Sequence, residues 1–488
     1  MLFNSVTYLF IFLPLVVVVY WISTRRLRLW LILIASLTFY GFWRIEFVPL
    51  LLFSAVIDYL LALRIDDEKS ETKRLWLLRL SIVINLFVLG VFKYLAFFRD
   101  SIWSIAEHLG YQPTFTELNI ILPLGISFYI FQTMSYTIDV YRRELKAEHD
   151  LLTYTCFVTF FPQLVAGPIL RAAVLIPQLN TQPAFDSDKL RMGIERIIAG
   201  LFLKVVLADT VAGLVDSGFQ RDASSLLALD NWTLSFLFGF QIYFDFAGYS
   251  AIAIGSALLL GFVIPENFNF PYAATSPRDF WRRWHISLST WIRDYLYLPL
   301  IGGYRRSDST GWDTAAEGKV EVSKPRKVTG LFLTWGIMGL WHGANWTFVV
   351  WGLYHAAIVQ AHRLLIGRIT LPNGILGWLL SVGVTLIVMM AGWIPFRAET
   401  VSDALTMWQS MLSPSAYSGL SLSFNSYLTA LLLVIAVSVR WVWISFIQVR
   451  VMKSAAMQFG LSTAYHAVTL SFVFLFLQVK QQFIYFQF

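Results

Sequence analysis

A chain of 488 residues that is 57% hydrophobic and only 14% charged, with a mean hydropathy of +0.63, carries more apolar surface than a soluble core can bury. It excludes a water-soluble globular protein and predicts a polytopic one, while the net charge of +7 fits cytosolic loops rather than a nucleic-acid surface. Cys156 is the sole cysteine, so disulfides and a multi-cysteine metal site within the chain are excluded.

In chain order, apolar runs occur at Val6–Ile22, Leu29–Trp43, Phe47–Leu63, Trp76–Phe98, Leu118–Ile138, Leu151–Leu170, Ile194–Leu214 and Trp232–Ile264. The tail adds Ile375–Phe396, Tyr427–Ile447 and Ala464–Phe483. Each is near the roughly 20 residues that cross a bilayer. Trp232–Ile264 is too long for one span and reads as two segments or a re-entrant pair. The expected fold is all-α, with about a dozen transmembrane or re-entrant helices around a central cavity.

No positive residue precedes the first run and Arg25, Arg26 and Arg28 follow it, so a cleaved signal peptide is not expected. The positive-inside rule then places Met1 outside, with residues 64–74 and 142–146 inside and the poorly basic residues 99–117 outside.

Polar residues inside these runs point to packing or chemistry. Asp245, in Gln241-Ile242-Tyr243-Phe244-Asp245-Phe246-Ala247-Gly248-Tyr249-Ser250, can pair with an arginine to hold helices together or orient a catalytic histidine. Asp139, beside Arg142 and Arg143, reads as a helix-end ion pair. The stretch Phe161–Pro168 cannot be an unbroken helix, because Pro168 has no amide donor. Broken backbone at membrane depth lines a cavity or is covered by protein.

The chain is organised around residues 276–345, which carry one histidine near each end. Ser276 suits an N-cap, Pro277 the first helical position and Asp279 a capping box. The spacing predicts an amphipathic interfacial helix over Phe280–Tyr297 with His285 on its apolar side, either as a packed ring satisfied by a backbone carbonyl or as a group that positions donor or neighbour. Then comes the longest polar loop, with Arg305, Arg306, Lys324, Arg326 and Lys327. Val328–Leu340 and Trp346–Ala361 are apolar, and Trp341-His342-Gly343-Ala344-Asn345 interrupts them with an ionisable ring and an amide. His355 and His362 follow, readable as structural or interfacial. No Walker loop, dinucleotide fingerprint, HExxH or nucleophile-elbow motif is present.

Five motifs occur in order: Leu122-Pro123-Leu124-Gly125-Ile126-Ser127-Phe128-Tyr129, Ala166-Gly167-Pro168, Tyr243-Phe244-Asp245-Phe246-Ala247-Gly248-Tyr249, Phe280-Trp281-Arg282-Arg283-Trp284-His285-Ile286-Ser287 and Trp341-His342-Gly343-Ala344-Asn345. With Asn267-Phe268 and Arg293-Asp294-Tyr295-Leu296-Tyr297, the chain resembles the membrane-bound O-acyltransferase family, in its branch for bacterial alginate O-acetylation. The resemblance implies a membrane domain over 1–396, a catalytic core over 120–362, and C-terminal transmembrane helices over 397–488 on the same bundle. It makes His342 the catalytic histidine and His285 a second essential one.

It also implies acetyl-CoA as a cytosolic donor substrate, no bound cofactor or metal, and a bacterial inner-membrane location. Acetyl would pass across the membrane toward a cell-surface polysaccharide, completed by a periplasmic acetyltransferase. The basic loop can attract the phosphates of CoA. His342 can act as general base or carry acetyl, and Asn345 or a backbone amide can support the oxyanion. The competing readings are a transporter using His342 and Asp245 as a proton relay, and a scaffold without acyltransferase activity. A transporter predicts paired repeats, and the sequence shows no convincing internal duplication.

Overall fold

The computed structural model describes residues 1–111, 120–165, 167–303, 323–366, 368, 372–442 and 455–477, and among these every regular element is helical. The chain opens with α1 (Leu13–Ile22), α2 (Arg25–Gly41), α3 (Val48–Asp67), α4 (Glu71–Leu89) and α5 (Leu95–His108). The next group is α6 (Ile126–Tyr141), α7 (Leu151–Thr159), α8 (Phe161–Leu164), α9 (Ala172–Thr181), α10 (Ser187–Leu201) and α11 (Asp209–Phe219). The middle holds α12 (Ala228–Leu259), α13 (Pro277–Arg283), α14 (Ile286–Ile292) and α15 (Leu298–Ile301). It ends with α16 (Lys324–His342), α17 (Trp346–Leu365), α18 (Ile375–Arg397), α19 (Val401–Leu412), α20 (Phe424–Val442) and α21 (Ala455–Phe476).

Among the described residues, five helical stretches are long and apolar enough to cross a membrane: Ile45–Asp67, Glu71–His108, Ser187–Phe219, Ala228–Leu259 and Ile375–Arg397. Tyr8–Ile22, Phe424–Val439 and Gly460–Phe476 are shorter apolar helices. α6, 16 residues long, is enclosed by protein along its polar positions. On α6, Gln132, Thr133, Ser135, Thr137 and Asp139 are all buried.

At the centre stands α12. Its 32 residues form one continuous helix, which corrects the expectation of two segments over Trp232–Ile264. At 1.5 Å per residue it is about 48 Å long, well beyond the ~30 Å hydrocarbon core. Because 89% of its apolar window is buried within the protein, its length need not match the bilayer. It packs directly on α10 through a glycine zip. A Cβ on Gly200 would lie 2.6 Å from the carbonyl of Gly248, and one on Gly248 would lie 2.8 Å from that of Gly200. Gly193 and Gly255 repeat the arrangement seven residues along each helix. Only small residues allow backbones this close.

The described residues of the break at 161–168 are buried, and side chains meet backbone groups around it. Gln132 and Gln163 each donate from Nε2 to the carbonyl of Phe157 at 2.7 Å. The amide of Phe161 donates to Ser36 Oγ at 3.0 Å, and that of Ile169 to Ser287 Oγ at 3.0 Å. Irregular backbone in a membrane protein persists where protein covers it, and here protein does.

Candidate active site

The second half of the chain builds a compact aromatic centre around three histidines. Ser276 caps α13 as its sequence suggests, accepting from the amide of Asp279 at 3.2 Å, with Pro277 in the first turn. The single helix expected over Phe280–Tyr297 is instead broken. α13 stops at Arg283, His285 adopts a left-handed backbone with φ 43° and ψ 55°, and α14 restarts at Ile286. A left-handed conformation at a non-glycine residue is strained, and it persists where its surroundings hold it. Here the non-helical segment at 267–269 does so: Ile286 N donates to Asn267 O and Asn269 N to Arg283 O, both at 2.9 Å.

The His285 ring is 1% exposed. Its Nδ1 lies 3.2 Å from Asn267 Oδ1, and the edge of Phe246 meets it at 4.6 Å between ring centres. His342 is the last residue of α16 and is 5% exposed. Its ring is walled by Trp351 at 4.9 Å, Trp341 at 5.0 Å and Phe396 at 5.3 Å. Trp341 also lies 6.4 Å from the His285 ring, so one indole stands next to both histidines. Phe131 stacks on that indole at 5.3 Å. The two sequence-predicted histidines are therefore brought into one site, from segments 57 positions apart.

The end of α16 is held by one amine and one hydroxyl from the π-helical turn Gly90–Tyr94. Lys93 Nζ donates to the carbonyls of Trp341 and His342, and Tyr94 OH donates to Leu340 O at 3.1 Å. Hydrogen-bond donors at a helix C-terminus satisfy carbonyls that have no intrahelical partner. Sequence reading passed over Lys93; its one signal was a charge inside the apolar run Trp76–Phe98. Close packing of α16 on α17 completes the frame, since a Cβ on Gly352 would collide with the carbonyl of Trp335.

Asp245 pairs with a lysine, not with the arginine that its setting in the sequence suggests. Its carboxylate takes Lys204 Nζ at 2.6 Å, and Lys204 also contacts Asp209 at 2.7 Å. The next residue on α12, Phe246, is the one that touches His285. Asn345 N-caps α17: Oδ1 accepts from Thr347 N at 3.0 Å while Nδ2 donates to Glu399 O at 3.2 Å. Its carboxamide thus joins α17 to the end of α18, and it lies exposed at the surface. Asp139 accepts from Tyr295 OH at 2.8 Å, a tyrosine partner in place of the expected ion pair.

Of the basic loop, Arg305 and Arg306 lie outside the described residues. Lys324, Arg326 and Lys327 open α16, at the opposite end from His342, and Arg326 Nε donates to Leu300 O at 3.2 Å. Asp294 is gripped by Arg171 at 2.5 Å and Arg293 at 2.6 Å. Burial works against its charge, but the two guanidiniums outweigh that and hold the carboxyl below its ordinary range.

His355 was left open by the sequence. It is 1% exposed, within 5.0 Å of Trp281 and 4.9 Å of Trp351, and it shares Trp351 with His342. A separate cavity of about 380 Å³ is lined by Gln220, Arg221, Asp222, Glu399 and Asp403 among others, just past Phe396 along the chain. Among the described residues no cluster of histidine, cysteine and carboxylate side chains could hold a metal ion.

Residues 29–314 match the model of MBOAT, the membrane-bound O-acyltransferase family, a span that is more than half of the chain and includes Asp245 and His285. The chain belongs to this family. The chain is accordingly an O-acyltransferase and a multi-pass membrane protein. It is 41% identical over 417 residues to the probable alginate O-acetylase AlgI of Pseudomonas aeruginosa, covering 85% of this chain and 75% of the relative. It is 36% identical over 450 residues to a peptidoglycan O-acetyltransferase of Helicobacter pylori, covering 84% and 80%. A teichoic acid D-alanyltransferase of Bacillus subtilis is 30% identical over 275 residues, 55% of this acyltransferase and 65% of the relative.

Proposed function

We propose that this acyltransferase moves acetyl from acetyl-CoA, supplied in the cytosol, across the bacterial inner membrane for O-acetylation of a cell-surface polysaccharide such as alginate. The observation that carries the reading is the burial of His342 and His285 against the same indole, Trp341, at the end of a helix whose opposite end bears cations. The names of the relatives, which include acetylases of alginate and peptidoglycan, support acetyl as the group and a glycan as the acceptor.

Acyl transfer from a thioester to a hydroxyl requires removal of a proton from the attacking oxygen and charge stabilisation on the carbonyl oxygen. Histidine is the side chain whose ordinary pKa lies near neutrality, and His342 is the proposed base or transient acetyl carrier. The aromatic walls exclude water, which protects a thioester or acyl intermediate from hydrolysis. Lys324, Arg326 and Lys327, with Arg305 and Arg306, would draw in the anionic phosphates of CoA. A periplasmic acetyltransferase would complete transfer to sugar hydroxyls, and membrane lipid surrounds the bundle.

The test is CoA release from acetyl-CoA by the purified protein in the presence of the periplasmic acetyltransferase and deacetylated alginate oligosaccharide. His342→Gln keeps a polar group of similar reach but can neither accept the proton nor carry acetyl. Loss of a general base costs about 10²–10⁴ in rate, so the variant should show no release above background. A monodisperse His342→Gln protein with near wild-type release would overturn the assignment.

A further inference from the structure

The hydrogen bonds around Asn267 decide which nitrogen of His285 carries a proton. Asn267 is fully buried and follows α12 in the connection that wraps His285. Its Oδ1 is met by three groups: the backbone N–H of Ser287 at 3.2 Å, Ser287 Oγ at 2.8 Å and His285 Nδ1 at 3.2 Å. A backbone amide can only donate, so the amide end facing Ser287 is the oxygen. The other end agrees, because Nδ2 points to Ser250 Oγ at 3.2 Å. With an acceptor facing Nδ1, that nitrogen must hold the hydrogen. Nε2 is then the unprotonated nitrogen of the neutral ring, and among the described residues this buried atom has no hydrogen-bond partner.

We propose that Asn267 is a positioning residue that locks His285 in its Nδ1–H tautomer, so that Nε2 presents a lone pair inside the aromatic site. The lone pair can accept a proton or a hydrogen bond from the acceptor hydroxyl or from a neighbour in the pair. Three features serve this one end. The left-handed turn at 285 brings the ring to the segment at 267–269, the Ile286 amide ties the two backbones at Asn267, and Ser287 orients the carboxamide. None of these is needed merely to bury a ring, which Phe246 and Trp341 already enclose.

Two measurements test this. The first is nitrogen-15 NMR of protein labelled at histidine, with the His285 signals assigned by their loss in His285→Gln. Wild type should show a protonated Nδ1 and an unprotonated Nε2, and Asn267→Leu should lose that preference. The Nε2–H tautomer in wild type, or an unchanged spectrum in Asn267→Leu, overturns the proposal.

The second measurement is kinetic and rests on the acyltransfer reading above, using acetyl-CoA, the periplasmic acetyltransferase and deacetylated alginate oligosaccharide. Asn267→Leu should lower kcat by about 10²–10⁴, the range for losing general acid–base catalysis, with the acetyl-CoA KM within about twofold. Asn267→Asp keeps an acceptor opposite Nδ1 and should recover most of the rate. Equal loss in both variants, or a loss confined to KM, refutes the positioning role. If wild type itself releases no CoA, the acyltransfer reading fails while the NMR arm still decides the tautomer.

Discussion

Lys204 offers a quantitative test of what Asp245 does. Its ammonium sits 2.6 Å from Asp245 and 2.7 Å from Asp209, and all three side chains are 1–3% exposed. Lys204→Met keeps most of the side-chain volume but removes the cation that both carboxylates share. Breaking a buried ion pair by deleting one partner costs about 3–5 kcal/mol, since the remaining charge stays out of water. For a chain this large each kcal/mol shifts the melting temperature by ~2 °C, so a fall of roughly 6–10 °C is expected. Thermal unfolding of the detergent-solubilised protein, followed by tryptophan fluorescence and size-exclusion chromatography, reads this directly. The triple variant Lys204→Met/Asp209→Asn/Asp245→Asn removes all three charges and should regain most of the loss, as neutral replacements of buried ion clusters do. A Lys204→Met protein melting within about 2 °C of wild type would refute the reasoning. So would a triple variant no more stable than the single one. If Asp245 instead orients a histidine, Asp245→Asn alone would abolish CoA release at an unchanged melting temperature.

Other outcomes follow from the same geometry. Replacing Lys324, Arg326 and Lys327 by Gln should raise the acetyl-CoA KM and flatten its salt dependence, because screening then has less attraction to weaken; an unchanged KM at low salt in correctly inserted protein rejects the funnel. Gly352→Ala should lower both thermal stability and CoA release, since its Cβ collides with the backbone of α16 at Trp335. Gly213→Ala, where the Cβ meets nothing within 4 Å, is the matched control and should be neutral or slightly stabilising. Identical behaviour of the two glycine variants would remove the packing argument.

Composition and periodicity alone determined that this is an all-helical membrane protein, because apolar excess and run length report directly on solvent. Ser276 was legible as a helix cap and His342 as an ionisable ring interrupting two apolar helices, since both signals are local in sequence. The turn at His285 was not legible. Its residues carry helical periodicity from Phe280 to Tyr297, and what breaks that helix is a pair of backbone bonds to residues 267 and 269. Asp245 announced a buried charge without naming its partner, because Lys204 lies 41 positions away on the helix that the glycine zip brings alongside. Asn345 read as a polar group beside a catalytic ring, yet the start of α17 uses it as a cap. The length of α12 suggested two spans because a sequence does not state whether lipid or protein will surround a helix. Local chemistry was written in order along the chain. The meeting of His285, Trp341 and His342, and the tautomer set by Asn267, depend on contacts between distant segments, which exist only once the helices have packed.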